Sequence, residues 1–383
     1  MIQSSSGDGF LLEFLDDMYL KDFIAKGGSK IKFVTGRPGS GKTYFQNKLS
    51  EAAKQDGYVV VSLSAKQVWL NDFKEVYLAV LSKLNFDSLI QDCAKELIRK
   101  LDYDPDSIPE GQRFIDYLAS HDEANILTKR ALREELSRQF LQNPLLDNNF
   151  ASICAQLTAD ILGHPTMEDG DKDILYRWLN ADKTVKLTEL RMLGLAPVRI
   201  TKFNARHMLR SLAEMIRIGG NAGLIVLVDD LDILQDNSGL EELHYTKMKR
   251  DDTYESIRQL IDDIDTMRSL MFVFAFDRAL MDNEREGLKS YQALWMRIQN
   301  EVYAERMNRF SDILDLDRLA NQVYDSDYIL EMSLRFAEEA ERTSRNAMIL
   351  DDEAIRQIIE KAKFGSTGLP ELIRKATLEG ESK

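Results

Sequence analysis

The sequence predicts an α/β fold, a parallel-sheet core carrying a long α-helical insertion and a C-terminal helical part. Three observations carry it. A β-α-β pattern opens the chain, a glycine-rich turn joins its first strand to its first long helix, and two later apolar runs, Leu224–Val228 and Leu270–Phe276, each end in aspartate. Strands that alternate with helices in this way pair in parallel, with the helices packed on the sheet faces.

From the N-terminal side, Phe10 to Ile24 places Leu11, Leu12, Phe14, Leu15, Met18, Tyr19 and Phe23 at helical spacing, and Gly27 and Gly28 end the pattern. Ile31–Val34 reads as a strand, Thr43 to Ala53 as a helix, Tyr58–Leu63 as a strand and Val68 to Leu84 as a helix. Phe86 to Asn221 is helical almost throughout, punctuated at Pro105, Pro109, Gly111, Pro144, Gly163, Pro165, Gly194 and Pro197. The strand pattern returns at Leu224–Val228 and Leu270–Phe276, joined by a helix around Thr253–Met267, and helical spacing resumes in Asp327–Arg342 and Asp352–Lys363. The expected organisation is therefore residues 1–85 and 222–315 as two parts of one core, 86–221 as the insertion and 316–383 as the C-terminal helices.

With 383 residues, 44% hydrophobic and 30% charged, and only 7 Pro and 20 Gly, the chain has the composition of an ordered, helix-rich protein of two to three packed units. Cys93 and Cys154 stand 61 residues apart and the chain has four histidines, which supports neither a disulfide framework nor a zinc site. No basic segment followed by an apolar one opens the chain, and its apolar runs are strand-sized, so a cytoplasmic protein with no membrane span is expected.

The motif of highest specificity is Gly36-Arg37-Pro38-Gly39-Ser40-Gly41-Lys42-Thr43, followed by Tyr44, between a predicted strand and a predicted helix. Glycines let the backbone curl so that successive N–H groups face phosphate oxygens, and the helix N-terminus adds the positive end of its dipole. Lys42 spans the β- and γ-phosphates of a nucleoside triphosphate, and the Thr43 hydroxyl is a hard oxygen ligand for magnesium. ATP and Mg2+ are thus the expected ligands. Such a loop needs a second acidic strand, which Leu224-Ile-Val-Leu-Val-Asp229-Asp230 supplies, Asp229 for the metal and Asp230 for the attacking water.

At the end of the Leu270–Phe276 run, Asp277 fits two roles, a polar sensor beside the γ-phosphate or a cap of the following helix. Arg297, Arg306 and Arg309 are candidates for a finger arginine, Arg297 foremost because Leu294-Trp-Met-Arg-Ile would seat it on a packed helix.

The formal charge is −14, which disfavours extended coating of nucleic acid. It is unevenly spread: residues 183–217 carry Lys183, Lys186, Arg191, Arg199, Lys202, Arg206, Arg210 and Arg217 against Glu189 and Glu214, a net +6. Arg206, Arg210 and Arg217 fall on one helical face opposite Met208, Leu212, Met215 and Ile216, and are expected to be displayed. The face would meet DNA phosphates or an acidic partner, or pair with acids of the chain's own 229–265 region.

Taken in order, Lys30–Thr43, Phe203–Leu212, Ala222–Asp230, Tyr254–Asp263 and Gly287–Leu294 make the chain resemble the ATP-binding domain family of the BREX phage-defence systems, a branch similar to initiator-type AAA+ ATPases. The resemblance implies a P-loop NTPase core of the AAA+ kind with a C-terminal helical lid, and ATP binding and hydrolysis within a multi-gene antiviral system. It also implies helicase- or nuclease-type protein partners from the same operon, phage DNA as their target, and self-association wherever a neighbour supplies the arginine. Two residues depart from the pattern: Asp230 replaces the usual Glu, and Glu371 stands where a lid arginine is expected, with Arg374 one turn later as its substitute. The chain ends soon after this helix, so no winged-helix DNA-binding domain is expected.

Two function classes follow. One is a magnesium-dependent ATPase that converts nucleotide state into partner or DNA binding; the other is a nucleotide-gated binding module with little or no hydrolysis, suggested by Asp230 and Glu371. A small-molecule kinase would need an acceptor pocket, and no helicase motif set supports a DNA-translocating motor.

Overall fold

The computed structural model describes residues 7–236, 238–299, 308–323, 326–342 and 347–378. Its centre is a sheet of β1 (Ser29–Gly36), β2 (Tyr58–Ser64), β3 (Gly223–Asp229), β4 (Leu270–Asp277) and β5 (Ile313–Asp315), in the spatial order β2-β3-β4-β1-β5. Every pairing is parallel. The four strands expected from the sequence all form. The fifth has only Ile313, Leu314 and Asp315, too short to show any periodicity, and pairs with the edge of β1 alone.

Both faces of this sheet are covered, which is why β3 and β4 read as continuous apolar runs rather than alternating ones. Side chains of period two separate the faces. Phe33, Val61, Val226, Phe272 and Phe274 enter one core, and Val34, Ile225, Leu227, Met271 and Val273 the other. Phe33 and Phe274 stack with ring centroids 5.5 Å apart.

The second face is closed by α1 (Gly7–Leu15), a π-helical stretch Asp16–Ile24 that continues it, and α2 (Lys42–Gln55). The first face carries α3 (Phe73–Ser82), which starts later than the periodicity from Val68 suggests because Asp72 caps it, its side chain accepting from the Lys74 N–H. Residues 86–218 form α4 (Phe86–Lys100), α5 (Phe114–Ser120), α6 (Ile126–Leu136), α7 (Asn148–Leu162), α8 (Asp169–Leu179), α9 (Leu187–Met192) and α10 (Ala205–Ile218). These helices share the core of the first sheet face, and α10 packs on β3 and α3 with Met208, Leu209, Leu212 and Met215 fully buried. Cys93 and Cys154 are buried free thiols in that core.

After β3, α11 (Lys247–Asp263) opens at Thr246, whose hydroxyl accepts from the Lys249 N–H, so it begins ahead of Thr253. Then come α12 (Arg278–Asp282) and α13 (Gln292–Ile298). Last are α14 (Leu316–Val323), α15 (Ser326–Arg342), α16 (Asp352–Phe364) and α17 (Leu369–Leu378), with a core of their own that includes Ile329, Ile355, Ile358, Leu369 and Ile373. Among the described residues, no helix is long and apolar enough to cross a membrane.

One strand residue breaks the apolar rule. Lys32 of β1 is fully buried, donating to the Phe310 and Ser311 carbonyls at 3.0 and 2.7 Å with its ammonium 4.5 Å from the centre of the Tyr19 ring. Burial pulls its pKa down from the ordinary lysine value to about 7.

Candidate functional site

Parallel pairing brings the C-terminal ends of the strands to one edge, and the register sets which residues meet there. Gly36 lies opposite Asp277, and Ser64 opposite Asp229. Residues 36–42 leave β1 as a tight loop and enter α2. Gly39 and Gly41 adopt φ of +74° and +91°, left-handed values that a side chain would strain. Ser40 is buried, and its Oγ has no hydrogen-bond partner among the described residues.

The Lys42 ammonium turns back over this loop, donating to the Gly36 and Arg37 carbonyls at 3.1 and 3.2 Å and pairing with the Asp277 carboxylate. Asp277 precedes α12 yet makes no capping bond to it; its side chain serves Lys42 instead. Beside Lys42, the Thr43 hydroxyl donates to Asp229 Oδ2 at 2.9 Å. Two hard oxygen donors thus stand side by side at the loop, a donor set that suits magnesium.

Next to Asp229, Asp230 has φ +60°, a left-handed conformation that Asp tolerates better than most residues, which is a physical reason for the shorter acid here. Its carboxylate accepts from Ser64 Oγ at 2.6 Å and lies 3.7 Å from the Lys66 ammonium. Tyr44 is exposed, with Lys48 over its ring.

Three site residues were not anticipated from the sequence. Asp232 accepts the Asp277 N–H at 3.1 Å. Burial and, secondarily, the Asp277 charge hold its carboxyl above the usual range. Its signal was a third acid in Asp229-Asp230-Leu231-Asp232. Ser64 gave none beyond ending a strand. Asp317, which accepts from the Arg37 N–H at 2.8 Å, belongs to α14, entered directly from the unanticipated β5.

The C-terminal helices complete a cleft of about 460 Å³ over the loop, lined by Gly41, Lys42, Thr43 and Tyr44 on one side and Met332, Arg335, Phe336 and Arg374 on the other. Arg374 makes a two-pronged contact with Glu371, Nε to Oε2 and Nη2 to Oε1, both 2.7 Å, which pulls the Glu371 carboxyl below its ordinary value.

Of the candidate finger arginines, the two among the described residues, Arg297 and Arg309, are not part of this cluster. Arg297 pairs with Asp262 of α11 and donates to the Ala293 carbonyl, Arg309 lies over the Phe14 ring at 4.7 Å, and Arg306 falls outside the described residues. The basic face of α10 corrects its expected display, and Arg206 takes the other course open to it, pairing with an acid of the chain's own 229–265 region. Arg206 pairs with Asp263 at 2.7 Å, Arg210 donates to the Leu145 carbonyl at 3.0 Å, and Arg217 pairs with the buried Glu214 at 2.8 Å. All three are half-buried because the helix is packed on both flanks, leaving their guanidinium groups to satisfy acids and carbonyls of the chain itself.

Residues 17–369 match the family described as BREX system ATP-binding protein BrxC/D. No curated protein and no solved structure matches the chain. The match spans most of the sequence, so the chain belongs to this family of ATP-binding proteins.

Proposed function

From this membership we propose that the chain is a magnesium-dependent ATP hydrolase with a P-loop, AAA+-like core, serving as a nucleotide-driven switch or assembly factor in a multi-protein anti-phage defence system. Residues 86–221 are the insertion in this reading and residues 316–383 the lid. The single observation that carries it is the pairing of Thr43 with Asp229 at 2.9 Å, beside a loop whose lysine already sits among acids and carbonyls.

In this reading Gly36, Arg37, Pro38, Gly39, Ser40, Gly41 and Lys42 cradle the phosphates, Tyr44 borders the cleft, and Lys42 exchanges Asp277 for the β- and γ-phosphates. Thr43 and Asp229 would hold magnesium, which supplies positive charge against the charge developing on the transferring phosphoryl group. Asp230 orients the attacking water, and Asp277 senses the γ-phosphate from the adjacent strand. Arg297 is the first choice for a finger offered to a neighbouring copy. The protein's partners are proteins of the same defence operon, of helicase or nuclease type, in the cytoplasm; any DNA contact through residues 183–217 falls to the exposed Lys183, Lys186, Arg191 and Lys202, because the arginines of α10 are engaged within the chain.

The carrying experiment is Lys42→Ala. It is expected to abolish ATP binding or turnover and, in cells, phage protection; undiminished magnesium-dependent phosphate release would overturn the assignment. A second reading, a nucleotide-gated module with little hydrolysis, is favoured by the engagement of Asp230 with Ser64 and Lys66. Phosphate release no faster than that of Asp230→Ala, alongside tight ATP binding, would select it.

A further inference from the structure

The phosphate loop is tied to the lid through backbone atoms and one arginine. The Gly368 N–H donates to the Pro38 carbonyl at 2.9 Å and the Glu371 N–H to the Gly39 carbonyl at 3.2 Å. This approach is close enough that a Cβ on Gly368 would lie 2.5 Å from the Ser40 backbone, and one on Gly39 2.4 Å from the Glu371 side chain. Because a trans peptide is rigid, fixing these two carbonyls fixes the planes of two of the peptides that form the loop.

Arg37 joins the remaining parts. Its N–H and Nε both reach Asp317 Oδ2, at 2.8 and 3.2 Å, and Asp317 is almost wholly buried. Its Nη1 donates to the Gly365 carbonyl of the lid at 2.6 Å, and its own carbonyl accepts from the Lys42 ammonium at 3.2 Å. One residue therefore touches the first turn of α14, the Gly365 carbonyl ahead of α17 and the phosphate-binding lysine.

We propose that Arg37, anchored by Asp317, is a positioning residue whose side chain couples lid seating to the conformation of the phosphate loop and the placement of Lys42. The guanidinium is committed to Asp317 and Gly365, and its part in the site runs through the lid. By reciprocity, whatever seats the lid tightens the loop for phosphate, and phosphate in the loop seats the lid. The second half of this coupling rests on the nucleotide reading above; the clamp itself does not.

Hydrogen exchange of residues 365–372, followed by mass spectrometry, reads the clamp without turnover, since the Gly368 and Glu371 amides bond directly to the loop. In the full chain, Arg37→Ala is expected to speed their exchange and to weaken Mg-ADP affinity by roughly five- to a hundredfold, the usual span of site-to-site coupling. Saturating Mg-ADP should slow exchange of this segment in the native protein and leave it fast in Arg37→Ala, a difference that lost stability alone would not produce. Asp317→Asn, which keeps an oxygen for the Arg37 N–H but drops the charge, should fall between the two. Native-like exchange in Arg37→Ala, or equal protection by Mg-ADP in both proteins, would overturn the clamp. If the native protein binds no nucleotide, the proposed function fails, and exchange in the protein alone still decides the clamp.

Discussion

The Thr43 hydroxyl donates to the Asp229 carboxylate across 2.9 Å, joining the first turn of α2 to the end of β3. Neither residue needs the other for its own helix or strand, so their contact reports the sheet order rather than local structure. If both hold magnesium, Thr43→Ala should raise the Mg2+ concentration needed for nucleotide binding by roughly ten- to a hundredfold, the loss of affinity typical of disturbing a metal site. Thr43→Ser, which keeps the hydroxyl, should restore it. Titrating Mg2+ against a fixed nucleotide concentration measures both, and an unchanged magnesium requirement in the alanine variant would remove Thr43 from the metal site.

The α10 arginines give a different expectation, because their partners lie within the chain. Glu214 is buried, accepts from Asn143 at 2.9 Å and pairs with Arg217. Removing Arg217 strands part of a buried carboxylate. Arg217→Ala should therefore destabilise the protein by about 1–3 kcal/mol, discounted for the half-exposed guanidinium, and Glu214→Gln in the same chain should recover part of that loss. Denaturant unfolding of the single and double variants makes the comparison. Loss of DNA binding in Arg217→Ala would count toward direct contact only if its stability were unchanged.

What the sequence made legible was local. A glycine-rich turn, apolar strands and terminal acids each carry their own pattern, so Lys42, Thr43, Asp229 and Asp277 could be named before any distance was known. The geometry that joins them depends on register, and register is invisible when both faces of a parallel strand are buried. Asp232 carries no pattern of its own beyond being a third acid after the strand, and only the β3–β4 pairing brings it to the Asp277 N–H. β5 was hidden by its length. The display expected of Arg206 failed because helical periodicity shows which residues share a face, not whether another helix, here α11 with Asp263, already covers it.

Asp232 itself has a measurable signature. Its folded carboxyl pKa is raised, by burial first and by Asp277 second, so the fold favours the protonated form. That contribution is fully present below the unfolded value and is lost as pH rises through the folded one. At neutral pH the charged side chain is therefore a standing cost, and Asp232→Asn, which can still accept the Asp277 N–H, should raise the melting temperature at pH 7. The gain should shrink as pH falls toward 4. A gain independent of pH would point to packing rather than charge.

Lys32 supplies the converse case, a buried base between Tyr19 and the Phe310 and Ser311 carbonyls, with Lys30 and its partner Asp312 on the same edge of the sheet. Burial lowers its pKa to about 7, Lys30 lowers it further and Asp312 opposes both. Between that value and the ordinary lysine pKa the unfolded chain binds more protons than the folded one, so stability rises with pH across this window. The slope from one such group is at most about 1.4 kcal/mol per pH unit. Lys32→Met removes the titration while keeping the length of the side chain. Its stability relative to the native protein should accordingly be most favourable near pH 6 and decline steadily toward pH 10, because the native lysine sheds its buried charge over that range. Parallel stability curves for the two proteins across pH 6–10 would show instead that the lysine keeps its charge in the folded state, held by the two carbonyls and the ring of Tyr19.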